Sequence, residues 1–302
     1  MKKLLDIAEK AKALGKKTRV AVAVAEDANT IGALCRAAKD GFVFPILIGN
    51  KVQIDTLLSA YTLEHKEYQI IDLADAGAAT REAVRMVHDG EADVLMKGLV
   101  GTDKFLREVL NKERGLLPPK AVMSYTCALE LPKYHKLLLI SDTAVLPNPD
   151  LNQKIAMVNY SVKMAHTLGI EEPKVALISA TEKVSSGMPN TIDYALISKM
   201  AERGQIKGCV IDGPLDVFLA CDPASLEIKG VDTPIGGDAD ILIFPNLETA
   251  NAFYKGLMLF AGGELAGLIQ GTSKPVVVMS RSESENSKYY CIALSCLMAE
   301  ES

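Results

Sequence analysis

The chain has no tryptophan and few aromatic residues of any kind, 5%, so its core must be built from Ala, Val, Ile, Leu and Met. Its six cysteines, Cys35, Cys127, Cys209, Cys221, Cys291 and Cys296, show no CxxC spacing and cluster with none of the four histidines. That pattern argues against a disulfide framework and a structural zinc site; reduced thiols fit a cytoplasmic protein. There is no long basic run, and the net charge is −5, which argues against nucleic acid as a partner. A few cations gathered at one cleft can still hold a small anion. The longest greasy stretch, Tyr289 to Ala299, is too short to span a membrane. Near the start, Asp6, Glu9, Lys10 and Lys12 break up any apolar run, so the segment reads as an amphipathic helix and not as a signal peptide.

What is present is a long alternation of short apolar runs and helical patterns, the signature of an α/β fold with parallel strands. Strands are expected at Arg19–Ala25, Pro45–Gly49, Gln69–Asp72, Asp93–Lys97, Leu137–Ile140, Lys174–Ser179, Cys209–Ile211, Asp240–Phe244 and Pro275–Met279. Helices are expected near 28–40, 52–60, 75–88, 102–112, 150–168, 190–203 and 248–261, with a last one from about 287. At 302 residues the chain exceeds the usual span of one core. Seams fall near Lys133–Lys136 and Gly271–Lys274. Ligands of such sheets bind beyond the carboxyl ends of the strands, so the residues that follow each strand carry the functional question.

Three segments stand out. Met96-Lys97-Gly98-Leu99-Val100-Gly101-Thr102 leaves a strand through a glycine-punctuated loop and enters a helix that Thr102 or Asp103 can cap. Gly98 and Gly101 permit close approach of an anion to backbone N–H groups, and Lys97 and Arg107 can add charge. The same residues would also serve an ordinary strand–helix turn. The second segment, Val276-Val277-Val278-Met279-Ser280-Arg281-Ser282-Glu283, delivers a hydroxyl, a guanidinium and a carboxylate at the end of an apolar strand. A guanidinium fork suits phosphate oxygens, and a hydroxyl can donate to an oxyanion. A Ser-Arg pair after a strand also arises by chance. The third runs from Gly236 to Lys255, where Glu248, Asn251 and Lys255 share one helix face. An exposed face with an ion pair is its plain alternative. Ser179-Ala180-Thr181-Glu182-Lys183 and Asp212-Gly213-Pro214-Leu215 also follow strands and read equally well as loops. Cys127 and the histidines read as structural, and no ligand spacing for a metal is present.

Taken in order, these segments resemble the phosphate acetyl/butyryl transferase family over nearly the whole chain. Ser179–Val184 with Met188-Pro189, and the Asp212–Leu215 stretch, are more similar to its butyryltransferase branch. The resemblance implies two α/β/α lobes on the isocitrate/isopropylmalate dehydrogenase-like scaffold. Residues 1–134 with 275–302 would form the first lobe, 135–274 the inserted second, and the cleft between them the active site. It implies reversible transfer of a short acyl group between coenzyme A and phosphate, with acyl-CoA, phosphate and acyl phosphate as partners, no further cofactor, and a homodimer. Ser280 and Arg281 match the family's serine and arginine at the reacting centre, Arg107 matches a family arginine that binds the acyl-phosphate or coenzyme A anion, and Lys97, Gly98, Gly101, Thr102, Ser179, Asn251 and Lys255 would bind substrate. One departure concerns the base. The acetyltransferase branch has Asp six positions after the arginine, where this chain has Ser287. The butyryltransferase branch usually has Asp two positions after it, where this chain has Glu283. Two other readings remain open: a nicotinamide-dependent dehydrogenase on the same scaffold, for which no GxGxxG follows the first strand, and a non-catalytic regulator that binds coenzyme A or acyl phosphate.

Overall fold

The computed structural model describes residues 1–280 and 283–300. Two compact units are present, one comprising Leu4–Met123 with Leu265–Ser302, here the N-terminal unit, and one comprising Ser124–Glu264 with Met1–Lys3, here the central unit. The divisions between them fall just before the seven-residue strand Ser124–Glu130 and at Glu264/Leu265, whereas the seams read from the sequence lie about ten residues further on in each case.

The N-terminal unit contains α1 (Leu4–Lys12), β1 (Thr18–Ala23), α2 (Ala28–Lys39), β2 (Val43–Gly49), α3 (Lys51–Leu58), β3 (Gln69–Asp72), α4 (Ala76–His88), β4 (Val94–Lys97) and α5 (Thr102–Val109). The chain returns to it in β10 (Glu264–Gln270), β11 (Val276–Val277) and α11 (Glu285–Ala299). Its strands lie in the order β3-β2-β1-β4-β11-β10. All neighbours pair in parallel except β10 with β11. Strand order runs one way from β1 to β3 and the other way from β1 to β4, so the switch point lies between β1 and β4. The carboxyl ends of those strands are where such a sheet binds ligands.

Sequence explains the register. Val20–Ala23 are fully buried, as are Val94–Met96, so nothing in the apolar runs alone fixes how the strands slide. Arg19 does: its Nε and Nη2 donate to the two carboxylate oxygens of Asp93 at 3.0 and 2.7 Å, and its backbone N–H donates to the same group at 2.9 Å. That fork sets Val20 against Val94 and leaves Ala23 beside Lys97 at the other end. Burial alone would raise the Asp93 pKa, but the Arg19 hydrogen bonds outweigh it and hold the carboxyl below its usual value.

The central unit contains β5 (Ser124–Glu130), β6 (Leu138–Ser141), α6 (Leu151–Thr167), β7 (Lys174–Ile178), α7 (Pro189–Glu202), β8 (Val210–Leu215), α8 (Val217–Cys221), α9 (Pro223–Lys229), β9 (Ile241–Ile243) and α10 (Leu247–Ala261). Strand order is β5-β6-β9-β7-β8, with β5 antiparallel to β6 and the rest parallel.

Several expectations need correction. β5 and β10 were not expected, and both make antiparallel pairs, so neither unit is purely parallel. In β5 the polar residues hid the pattern: Ser124 and Thr126 are fully buried, with Thr126 Oγ1 bonded to Ser161 Oγ at 3.1 Å. The last strand is limited to Val276–Val277, and Val278 is half-buried. Asp212–Leu215 is not a loop but the last four of the six residues of β8; a register shift opposite Ala176 and Ile178 absorbs the Gly-Pro.

The helix α5 buries only Phe105 and Val109, so Phe105 is its main anchor. Phe105→Ala is expected to cost about 3–5 kcal/mol of stability, read as a lower urea midpoint at unchanged m-value.

Candidate active site

The first cluster is built from the loops that leave β1, β4 and β11. After β1, Val24 adopts φ 58°, a region β-branched residues rarely enter. Its carbonyl accepts Leu99 N–H at 2.7 Å and Glu26 N–H at 2.8 Å, and Ala23 O accepts Gly98 N–H at 2.9 Å. The loops after β1 and β4 are thereby laced together. Gly98 is required by this approach, since a Cβ there would lie 2.2 Å from Val24 O.

Lys97, at the end of β4, is only 6% exposed, and its ammonium donates to Gly98 O and Val100 O at 3.2 Å each. It therefore shapes the glycine loop with its charge held inside. The helix N-cap is Gly101, with no side-chain cap, in place of the Thr102 or Asp103 cap expected. Gly carries no acceptor, and Thr102 is already inside the first turn, so the leading N–H groups keep their positive end uncapped. Arg107 is exposed on the next turn, with no hydrogen-bond or ion-pair partner among the described residues.

β11 lies beside β4, with Val277 opposite Met96, so the chain beyond it emerges next to the glycine loop. Ser280 is exposed there, and Glu283 is half-buried, with its N–H donating to Ser280 O at 3.3 Å. Arg281 lies outside the described residues. Ser287, at the position of the acetyltransferase-branch aspartate, is 1% exposed in the first turn of α11, and its N–H donates to the N-cap Ser284 Oγ at 3.0 Å.

A second cluster lies within the central unit, at the adjacent carboxyl ends of β6, β9 and β7. Asp142 follows β6 and is 1% exposed. Its carboxylate accepts the N–H groups of Tyr125, Ala144, Val145 and Leu146 at 3.0, 2.8, 2.8 and 3.3 Å, which folds the following loop around it. Burial raises its pKa in spite of those donors. Asn251 of α10 donates to Thr143 O in that loop at 2.9 Å, so its side chain holds the loop. Ser179 follows β7, half-buried, with its N–H on Leu215 O at 2.8 Å; Lys255 is exposed one turn beyond Asn251. Sequence reading missed Asp142, although the Ser-Asp-Thr after an apolar strand was the signal.

The sequence pattern of the phosphate acetyl/butaryl transferase family matches residues 76–296. The chain belongs to this family. It is 43% identical over 281 residues to a phosphate butyryltransferase of Clostridium acetobutylicum, covering 93% of each chain. It is 39% identical to a phosphate acetyltransferase of Thermotoga maritima, covering 99% of each. Among solved structures, a branched-chain phosphotransacylase from Enterococcus faecalis V583 superposes with a TM-score of 0.81 at 28% identity, over 93% of this chain and 99% of that one.

As a member of the phosphate acetyl/butaryl transferase family the chain is an acyltransferase, and its fold is the two-lobed α/β/α, isocitrate/isopropylmalate dehydrogenase-like one that the resemblance implied. That sets the dehydrogenase reading aside. Among the described residues no group of three or more His, Cys, Asp or Glu side chains could hold a metal ion, and no helix is long and apolar enough to cross a membrane. Gly98→Ala is expected to destabilise the N-terminal unit by about 1–3 kcal/mol, because backbone must move to admit the methyl group. Thermal unfolding of the variant against wild type checks it.

Proposed function

We propose that this acyltransferase moves a short acyl group, butyryl or one similar, reversibly between coenzyme A and inorganic phosphate. The observation that supports the proposal is the pairing of β4 with β1 and β11, with a glycine loop and an uncapped helix start following β4 and Ser280 following β11. In the forward direction a phosphate oxygen attacks the thioester carbonyl, the C–O bond forms, and the C–S bond breaks. The phosphate proton passes through the carboxylate of Glu283 to the departing sulfur; in reverse, Glu283 accepts the thiol proton. Arg281 and Arg107 hold the phosphoryl oxygens, and Ser280 donates to the oxyanion of the tetrahedral intermediate, a kind of contact worth about 3–4 kcal/mol. Gly101 and Thr102 present backbone N–H groups to the anion, Gly98 gives their loop its close approach to the chain after β1, and Lys97 fixes the loop. In the central unit, Ser179, Asn251 and Lys255 are the substrate-binding residues. Coenzyme A is a substrate, and no separate cofactor takes part.

The protein works as a cytoplasmic homodimer in this proposal. Supporting it is α10, an apolar helix of which only Ala250 is buried, while Leu259 and Phe260 are 75% and 86% exposed. An apolar helix face left to water in one copy is what a two-fold partner covers. Phe260→Asp is expected to shift the protein from dimer to monomer in light scattering at micromolar concentration.

The activity test is thiol release from acetyl-, propionyl-, butyryl- and branched acyl-CoA in the presence of phosphate. Release with a short-chain member supports the proposal, and absence with all of them overturns it, leaving the regulator reading. Arg281→Lys is expected to keep the fold and lose at least roughly tenfold in turnover in both directions, since an ammonium cannot reproduce the guanidinium fork. Wild-type rates in that variant would remove Arg281 from the site.

A further inference from the structure

Lys288 occupies a place that should repel it. It is 3% exposed, and it lies in the first turn of α11, at the positive end of the helix dipole. What holds it is Asp27, the residue that caps α2 at the carboxyl end of β1. Lys288 Nζ is ion-paired to Asp27 Oδ2 and donates to Thr30 Oγ1 at 3.2 Å, while Thr30 Oγ1 donates to the same Asp27 oxygen at 2.5 Å. Burial would raise the Asp27 pKa, but the bonds from Lys288 and Thr30 outweigh it and keep the carboxyl ionised. Next to this pair, Asn29 Nδ2 donates to Glu283 O at 3.5 Å. Two turns further along α2, Arg36 donates to Asn286 Oδ1 at 2.8 Å.

The consequence is geometric. Ser280 follows β11, whose place is set by its pairing with β4. Glu283 precedes α11, whose first turn is fastened to the start of α2 by the Asp27–Lys288 pair. Both contacts stand at the β1/β4 switch point. We propose that Asp27 and Lys288 are positioning residues for acyl transfer: their buried ion pair fixes where Ser280 and Glu283 stand relative to the glycine loop. This inference rests on the functional reading above. A buried charge pair is a poor source of stability compared with apolar residues of the same size, so its retention here is explained by the geometry it specifies.

The test uses full-length Asp27→Asn, Lys288→Met and the double variant, each with a thermal melt and with kcat and KM for butyryl-CoA and phosphate. Asn retains the cap acceptor of α2, and the double variant leaves no buried charge unpaired. Each single change is expected to lower kcat at least tenfold, with both KM values within threefold of wild type. The double variant is expected to be no slower than the slower single variant, within twofold, and to melt closer to wild type than either. Should the single variants fail to fold, the double variant decides. A folded double variant with kcat within threefold of wild type overturns the proposal, as do single penalties that multiply. A purely structural pair would change melting without this loss in kcat. Wild type that releases no thiol contradicts the acyl-transfer reading itself; wild type and double variant equally fast contradict only the positioning role.

Discussion

The parallel pairing of β4 with β1 on one side and β11 on the other brings three loops to one end of the sheet, and the rest of the N-terminal site depends on it. Arg19 and Asp93 lock the register at the opposite end, where no chemistry is expected. At the functional end the lacing of Ala23 and Val24 to Gly98 and Leu99 holds a strained Val24 and draws the glycine loop against the loop after β1. Strain of this kind survives only where neighbouring bonds over-determine it. The loops after β1 and β4 are thus held by backbone with little freedom to move, which suits a reaction whose catalysis rests on holding two substrates in place.

Charge is distributed with the same economy. Lys97 and Lys288 are both buried, and neither serves as a loose surface cation. Lys97 is turned onto the carbonyls of its own loop, and Lys288 is matched by Asp27. In contrast, Arg107 is exposed one turn into a helix whose first N–H groups have no side-chain cap. Lys97 and Lys288 are therefore structural cations, whereas Arg107 is open to an anion arriving from water.

Much of this was legible in the sequence. Buried strands such as β4 read as short apolar runs, here Val94–Met96, and the structure has strands at those places. Polar residues inside strands were harder. Ser124 of β5 bonds Ser141 of β6, and Thr126 bonds Ser161 of α6, pairings that no local pattern announces. Asp212-Gly213-Pro214 has turn composition yet continues a strand, because its partner strand shifts register. Residue types were readable but partners were not: Lys97 reads as a charge for an anion, yet its ammonium lies on carbonyls of its own loop, and Asp27 and Lys288 gave no signal, since they pair across 261 residues, while nothing local announced the loop folded around Asp142. Thr102 and Asp103 looked like caps because they are good ones, whereas the chain uses Gly101.

The central claim is that the acyl group passes directly to phosphate, and one labelling measurement tests it most closely. Wild-type protein is incubated with butyryl-CoA and phosphate carrying oxygen-18 at every position, and the acyl phosphate is analysed by mass spectrometry as thiol release is followed. The account predicts that thiol release requires phosphate and that the acyl phosphate retains all the phosphate label, bridging oxygen included. Thiol release at the same rate without phosphate, or acyl phosphate that has lost one label to solvent oxygen, would contradict it.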